Sequence, residues 1–363
     1  MLFPRIRLLS PLAGSGERPW SSLVVVILVL LAGCSRSDPE ETAAVPAVNA
    51  GDAGHQAMLV LLEDIRMRTP DENIWLGDAD ARALRARIAD LGPGTPAVEV
   101  ADLSFRLGLA ELRLGNEAKG IEYLLEAYRR LPEIKHQLTP DRYDEMIFQL
   151  GVAYLRLGET RNCCLHRTAE SCILPIRGGG VHTDVEGSES AVRYFTEVLR
   201  NTPPDSPMHL RALWLLNITH MTIGTYPDEI PVAYRIPPDA FRSDQPFAGF
   251  VETAHGAGVD TSSLSGGAIV DDFDGDGYLD LIVSTWDTSG QIRVFRNGGD
   301  GTFVNRTRES GLVGIFGGLN LVQADYDNDG DPTFWCCAER GSVPTAGTRT
   351  LSCAITATSP SPT

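Results

Sequence analysis

Positive charge is scarce in this chain: 31 Lys and Arg residues stand against 48 Asp and Glu, for a formal charge of −17. Such a field repels phosphate backbones and attracts cations, which argues against nucleic acid as a partner. Long apolar runs are also lacking. The longest, at residues 22–31, is shorter than the ~20 residues a membrane-spanning helix needs. No Cys-x-x-Cys-His occurs, so covalent haem is not indicated. The run Gly178-Gly179-Gly180 lacks the spacing of a nucleotide-binding loop and is expected to make a turn. What remains is an ordinary 43% hydrophobic content over 363 residues, enough for two or three domains with true cores.

The N-terminus reads as an export signal over residues 1–34. Arg5, Arg7 and Arg18 precede the apolar run, and Leu31-Ala32-Gly33-Cys34 closes it with small residues and a cysteine. That tetrapeptide resembles a bacterial lipobox, which implies diacylation of Cys34 and a protein held to a membrane through its N-terminal lipid. Ser35 after the cysteine implies the outer membrane, facing the periplasm or the cell surface. An uncleaved anchor is the other reading, and both place the rest of the chain outside the cytoplasm. Residues 35–52 are small, polar and Pro-bearing, as suits a flexible tether.

From about residue 53 to 240 the apolar spacing is mostly helical, with Gly and Pro punctuating helix pairs. Leu107-Gly108 precede Ala127 and Pro132, and Leu150-Gly151 with Tyr154 precede Ala191, Phe195, Val198 and Pro203. These spacings are those of tetratricopeptide-like repeats. The second unit is interrupted by 28 extra residues, an insert at about 160–188 that carries Cys163, Cys164, His166, Cys172 and His182. Three readings stay open for it. In an oxidising compartment Cys172 would form a disulfide with Cys163 or Cys164. The same cysteines with His166 and His182 could instead hold zinc or copper, although the spacing matches no strong zinc pattern. A thiol nucleophile paired with histidine is the third, and the sequence shows no orienting carboxylate for it. The last two would make the protein an enzyme or a transition-metal handler.

Beyond Pro237-Pro238 the pattern changes to short β-branched and aromatic runs bounded by Gly, Asn and Asp, which predicts strands and hairpins over 245–332. The fold class expected is therefore α + β multidomain. Within that region Asp272, Asp274, Asp276 and Asp280 stand at positions one, three, five and nine of a loop, with Gly277 at six. A hard cation such as calcium takes about six to eight oxygens, and this alternation turns carboxylates inward, with the Tyr278 carbonyl as the seventh-position ligand. Position twelve is Val283, so the loop is not an EF-hand. A second copy, Asp325, Asp327, Asp329 and Asp331, follows 53 residues later. Phe250-Val251 and Phe303-Val304 share that offset, which is about one propeller blade.

The segment Gly266-Gly267-Ala268-Ile269-Val270-Asp271-Asp272-Phe273-Asp274-Gly275-Asp276-Gly277-Tyr278-Leu279-Asp280-Leu281 resembles an FG-GAP repeat of the VCBS type. Val294-Phe295-Arg296-Asn297-Gly298-Gly299-Asp300-Gly301-Thr302-Phe303 resembles the hairpin that joins such repeats. With the lipobox and helical repeats, the order is similar to bacterial members of the cartilage acidic protein family, whose full-length members end in an ASPIC/UnbV domain. The resemblance implies a calcium-stabilised β-propeller that binds a protein or glycan partner, without catalytic residues.

The second loop departs from the pattern at Thr333, where an Asp is expected. Phe334-Trp335-Cys336-Cys337 must be encoded TTY TGG TGY TGY, and reading from the third base gives Leu-Val-Leu. One G restored before the Thr333 codon supplies the missing Asp. Residues 333–363 are thus expected to be out of frame, ending in a disordered tail, with the propeller cut short.

Overall fold

The computed structural model describes residues 53–356 except 167, 169, 243, 246–250, 262, 326–327, 329, 331 and 339–350. The signal, Cys34 and the tether lie outside the described residues. Residues 47–363 form one compact unit. Among the described residues no helix is long and apolar enough to cross a membrane.

Seven helices lead: α1 (Ala53–Glu72), α2 (Ala79–Ala89), α3 (Ala97–Arg113), α4 (Glu117–Ile134), α5 (Pro140–Glu159), α6 (Glu186–Asn201) and α7 (Pro207–Thr222). The starts of α5 and α7 are written locally. Thr139 and Ser206 accept hydrogen bonds from the Arg142 and His209 N–H groups, and each is followed by proline at the first helical position, which satisfies donors that a helix leaves orphaned. From α3 onward, successive helices bury one shared core around Leu124, Ala127, Leu131, Ile147, Leu150, Phe195, Val198 and Leu216. A Cβ on Gly151 would lie 2.8 Å from the Phe195 ring. The Gly and aromatic positions that mark the repeat spacing are therefore a point of close approach between α5 and α6.

α1 behaves differently. Its Leu62 joins the core of the β region, with Met58 and Leu59 packed beside it, and the Thr288 hydroxyl donates to the Thr69 hydroxyl at 2.8 Å. The helical and β parts are thereby tied through the first described helix.

Four strands, β1 (Ala268–Asp271), β2 (Asp280–Val283), β3 (Arg293–Asn297) and β4 (Phe303–Asn305), form an antiparallel sheet in chain order. A second antiparallel sheet follows with β5 (Asn320–Ala324), β6 (Thr333–Ala338) and β7 (Leu351–Thr356). Ile269, Phe273, Ile282, Leu321, Phe334 and Cys336 share one core, and the Gln323 side chain donates to the Val270 carbonyl between the sheets at 3.2 Å.

The pairing repeats at the 53-residue offset: Asp271 faces Asp280, and Ala324 faces Thr333. The buried face does not. In the first hairpin Ile269 and Ile282 point inward; in the second the inward pair is Leu321 and Cys336, the counterparts of Ala268 and Val283. Because side chains alternate across a strand, the second hairpin turns its opposite face to the core. Residues 333–338 form a paired strand because Phe334 and Cys336 alternate on one apolar face, and both are buried.

Candidate metal centre

The loop from Asp272 to Leu279 joins β1 to β2. Phe273 anchors it from below, buried against Phe334 in an edge-to-face contact at 6.2 Å. Its neighbours Asp272 and Asp274 are thereby left to the loop side. Asp272 organises the turn: its two carboxylate oxygens accept from the Asp276 N–H at 3.1 Å and the Gly277 N–H at 2.8 Å. Asp276 accepts from the Tyr278 N–H at 2.9 Å. Gly275 and Gly277 sit at φ 71° and 87°, in the left-handed region where a side chain would be strained. The result is that oxygens of Asp272, Asp274 and Asp276 lie within 4.8 Å of one another.

Two residues of β3 complete the arrangement. The Arg296 guanidinium bridges two carboxylates, Nε to Asp274 Oδ2 and Nη2 to Asp276 Oδ2, the latter at 2.5 Å. Asn297 closes the far end of the loop, donating from its amide to the Leu279 carbonyl at 2.9 Å and from its backbone N–H to Asp280 Oδ1 at 2.7 Å. Gly299 at φ 74° lies under the Tyr278 ring, 2.6 Å from where its Cβ would be, so the β3–β4 turn packs directly on the loop. Sequence reasoning placed this hairpin beside the loop by resemblance and missed the roles of Arg296 and Asn297. The signal was their position one strand away, immediately before the Gly-Gly turn.

Asp280 does not join the triad. It is the buried first residue of β2, committed to the Asn297 N–H. Burial holds its carboxyl above the usual carboxylate range, with Asn297 pulling down and the charges of Asp274 and Asp276 pushing up. A group with four carboxylates was expected, and the structure brings together three. Among the described residues the buried Asp274 Oδ1 has no hydrogen-bond partner. An orphaned carboxylate oxygen beside two other carboxylates fits a hard cation, which supplies the coordination that no protein donor gives Asp274 Oδ1.

The second loop keeps the same skeleton where it is described. Asp325 Oδ2 accepts from the Gly330 N–H at 3.2 Å, the counterpart of the bond from Gly277 to Asp272. Asn328 and Gly330 sit at φ 58° and 95°, matching Gly275 and Gly277. Asp327, Asp329 and Asp331 lie outside the described residues. Thr333, at the place of Asp280, is buried and offers no carboxylate.

The insert is held by a polar base at Asn162. Asn162, buried just past α5, donates to the Gly158 and Asp184 carbonyls at 2.7 and 2.9 Å. Its side-chain oxygen accepts from the Thr183 and Asp184 N–H groups at 2.8 and 2.9 Å. One amide thus ties both ends of the insert. His182 is buried with Nδ1 3.0 Å from the Ser188 hydroxyl, and burial lowers its pKa. His166 is exposed. Cys163, Cys164 and Cys172 are free thiols. Burial and the adjacent Cys172 thiol push Cys163 up to about 12. Among the described residues, the Asp272, Asp274 and Asp276 group is the one found with metal-ligand spacing.

The model of an FG-GAP-like repeat matches residues 272–334, from the first ligand Asp to the second strand of the repeated hairpin. Neither a tetratricopeptide nor an ASPIC/UnbV family model matches. No curated protein and no solved structure matches the chain. The chain is thus a helical region followed by antiparallel sheets that carry an FG-GAP-like repeat, a module of the propeller-type interaction class.

Proposed function

We propose that this chain is an exported, lipid-anchored interaction or adhesion protein without catalytic activity, in which calcium clamps the β1–β2 loop. Its order of modules supports likening it to the bacterial cartilage acidic protein-like family, with tetratricopeptide-like helices and an incomplete propeller binding a protein or glycan. Bound calcium would neutralise the loop's carboxylates. Asp272, Asp274 and Asp276 would hold it, with the Tyr278 carbonyl as a further ligand and Asp325 to Asp331 forming a weaker second site. The observation that carries the reading is the orphaned Asp274 Oδ1 inside the triad. Cys34 would bear the lipid.

Titration calorimetry and thermal melting of the full chain test the calcium site. Calcium should bind and raise the melting temperature, and Asp274→Asn, which keeps the side chain's shape, should abolish both. A wild-type protein indifferent to calcium would overturn the reading.

A further inference from the structure

Among the described residues three buried side-chain atoms lack a hydrogen-bond partner: Asp274 Oδ1 of the calcium loop, Arg235 Nε and Asp144 Oδ1. Asp144 lies in the first turns of α5 and is 6% exposed. Burial holds its carboxyl above the usual carboxylate range; an Asn201 hydrogen bond and the Lys135 charge pull it down, while Asp141 and Glu197 push it up. Glu197 is met by an uncharged donor, the Tyr128 hydroxyl at 2.8 Å, and neither carboxylate is ion-paired among the described residues. A buried carboxylate oxygen without a donor, close to other carboxylates, calls for a cation.

The surroundings decide which kind. Asp274 has two carboxylates at metal-ligand spacing, whereas among the described residues Asp144 belongs to no such group. Its neighbours are aromatic: Tyr143 beside it in α5, and Tyr128 of α4, edge-on to Tyr194 of α6 at 5.3 Å. Two of these rings already carry cations of the chain. Lys135 Nζ lies 4.9 Å from the centre of the Tyr143 ring, and the Arg193 guanidinium 5.4 Å from that of Tyr194. Calcium wants about six to eight oxygens at once. An alkylammonium offers three donors and gains from ring faces as well. Asp141, exposed and one turn before Asp144 on the same helix face, sets another carboxylate outside the buried one, as a second ammonium requires.

We infer that the junction of α4, α5 and α6 binds a small aliphatic diammonium ion, one ammonium on Asp144 and Glu197 against the Tyr128 and Tyr143 rings and the other toward Asp141. Lys135, exposed on the short turn after α4, is the chain's own competitor for that place and moves aside when the ion enters.

Titration calorimetry of the full chain with 1,4-diaminobutane, in excess calcium, tests this. Saturable one-to-one binding is expected, weakening with salt and weaker by roughly tenfold or more in Asp144→Asn and in Glu197→Gln, as for loss of a charge-assisted hydrogen bond. Both variants keep the side chain's shape, and their melting curves separate lost binding from lost fold. Lys135→Gln should bind the diamine more tightly than wild type, a gain that a purely structural carboxylate would not give. Absence of saturable binding, unchanged affinity in Asp144→Asn, or binding abolished by calcium would each overturn the proposal. Binding lost in Asp274→Asn would do the same, since it would place the diamine at the calcium loop.

Discussion

Arg296 supplies the countercharge for Asp274 and Asp276, so the loop holds together while two carboxylates lie side by side. Calcium placed among the same groups would make that countercharge redundant, and two cations on one carboxylate pair repel each other. Arg296→Gln should therefore lower the melting temperature in chelator and enlarge the rise that calcium produces. Differential scanning of both proteins with and without calcium reads this directly. An equal calcium-induced rise in wild type and variant would show that Arg296 does not face the ion. Asp280 has a different task. Buried and bonded to the Asn297 N–H, it joins the loop's end to β3, which is why its carboxylate is not free to turn into the triad.

At the scale of elements, the two hairpins show what an internal repeat preserves. Strand pairing and the left-handed turn residues return after 53 residues, because both are set by backbone hydrogen bonding in a tight loop. The buried face is set by which side chains are apolar, and Phe334 and Cys336 differ in alternation from Ile282. The insert is an element held by its own polar base. Its thiols nonetheless offer a choice that the structure narrows, since Cys163 interacts with Cys172 while Cys164 is exposed. Under a mild disulfide-forming oxidant two thiols should be lost by thiol titration, in Cys164→Ser as in wild type, but not in Cys163→Ser. The bridge would close a short loop and add about 2–3 kcal/mol in the chain-entropy picture. Loss of thiols that persists in Cys163→Ser would assign the bond to Cys164 instead.

For the molecule as a whole, α1 decides how the parts behave together. Leu62 is 3% exposed and sits among Ile269, Phe273 and Leu321, so removing it leaves a cavity where helix meets sheet. Leu62→Ala should cost about 2–5 kcal/mol. The far-ultraviolet signal of the helices and the near-ultraviolet signal of the aromatic β core should fall in a single, lowered transition. Two separate transitions in the wild type would show instead that the helical and β parts are independent.

Much of this was legible in the chain. The Asp272, Asp274 and Asp276 ladder, its glycines, the 53-residue echo and the helix pairs around Gly151 and Phe195 all follow from local rules of backbone conformation, alternation and helical period, which operate within a turn or two. The rest depended on contacts between distant residues. Arg296 reaches Asp274 across 22 positions through the β2–β3 register. Asn162 ties Asp184 only once the insert has folded back. Leu62 meets Leu321 because α1 leaves its neighbouring helices for the sheet. The sequence by itself determined the carboxylate loop, because its spacing and its turns lie in consecutive residues. Which of those carboxylates converge, what neutralises them and which face of the repeated hairpin turns inward were decided only by the tertiary structure, where burial and strand register bring together groups that no local pattern connects.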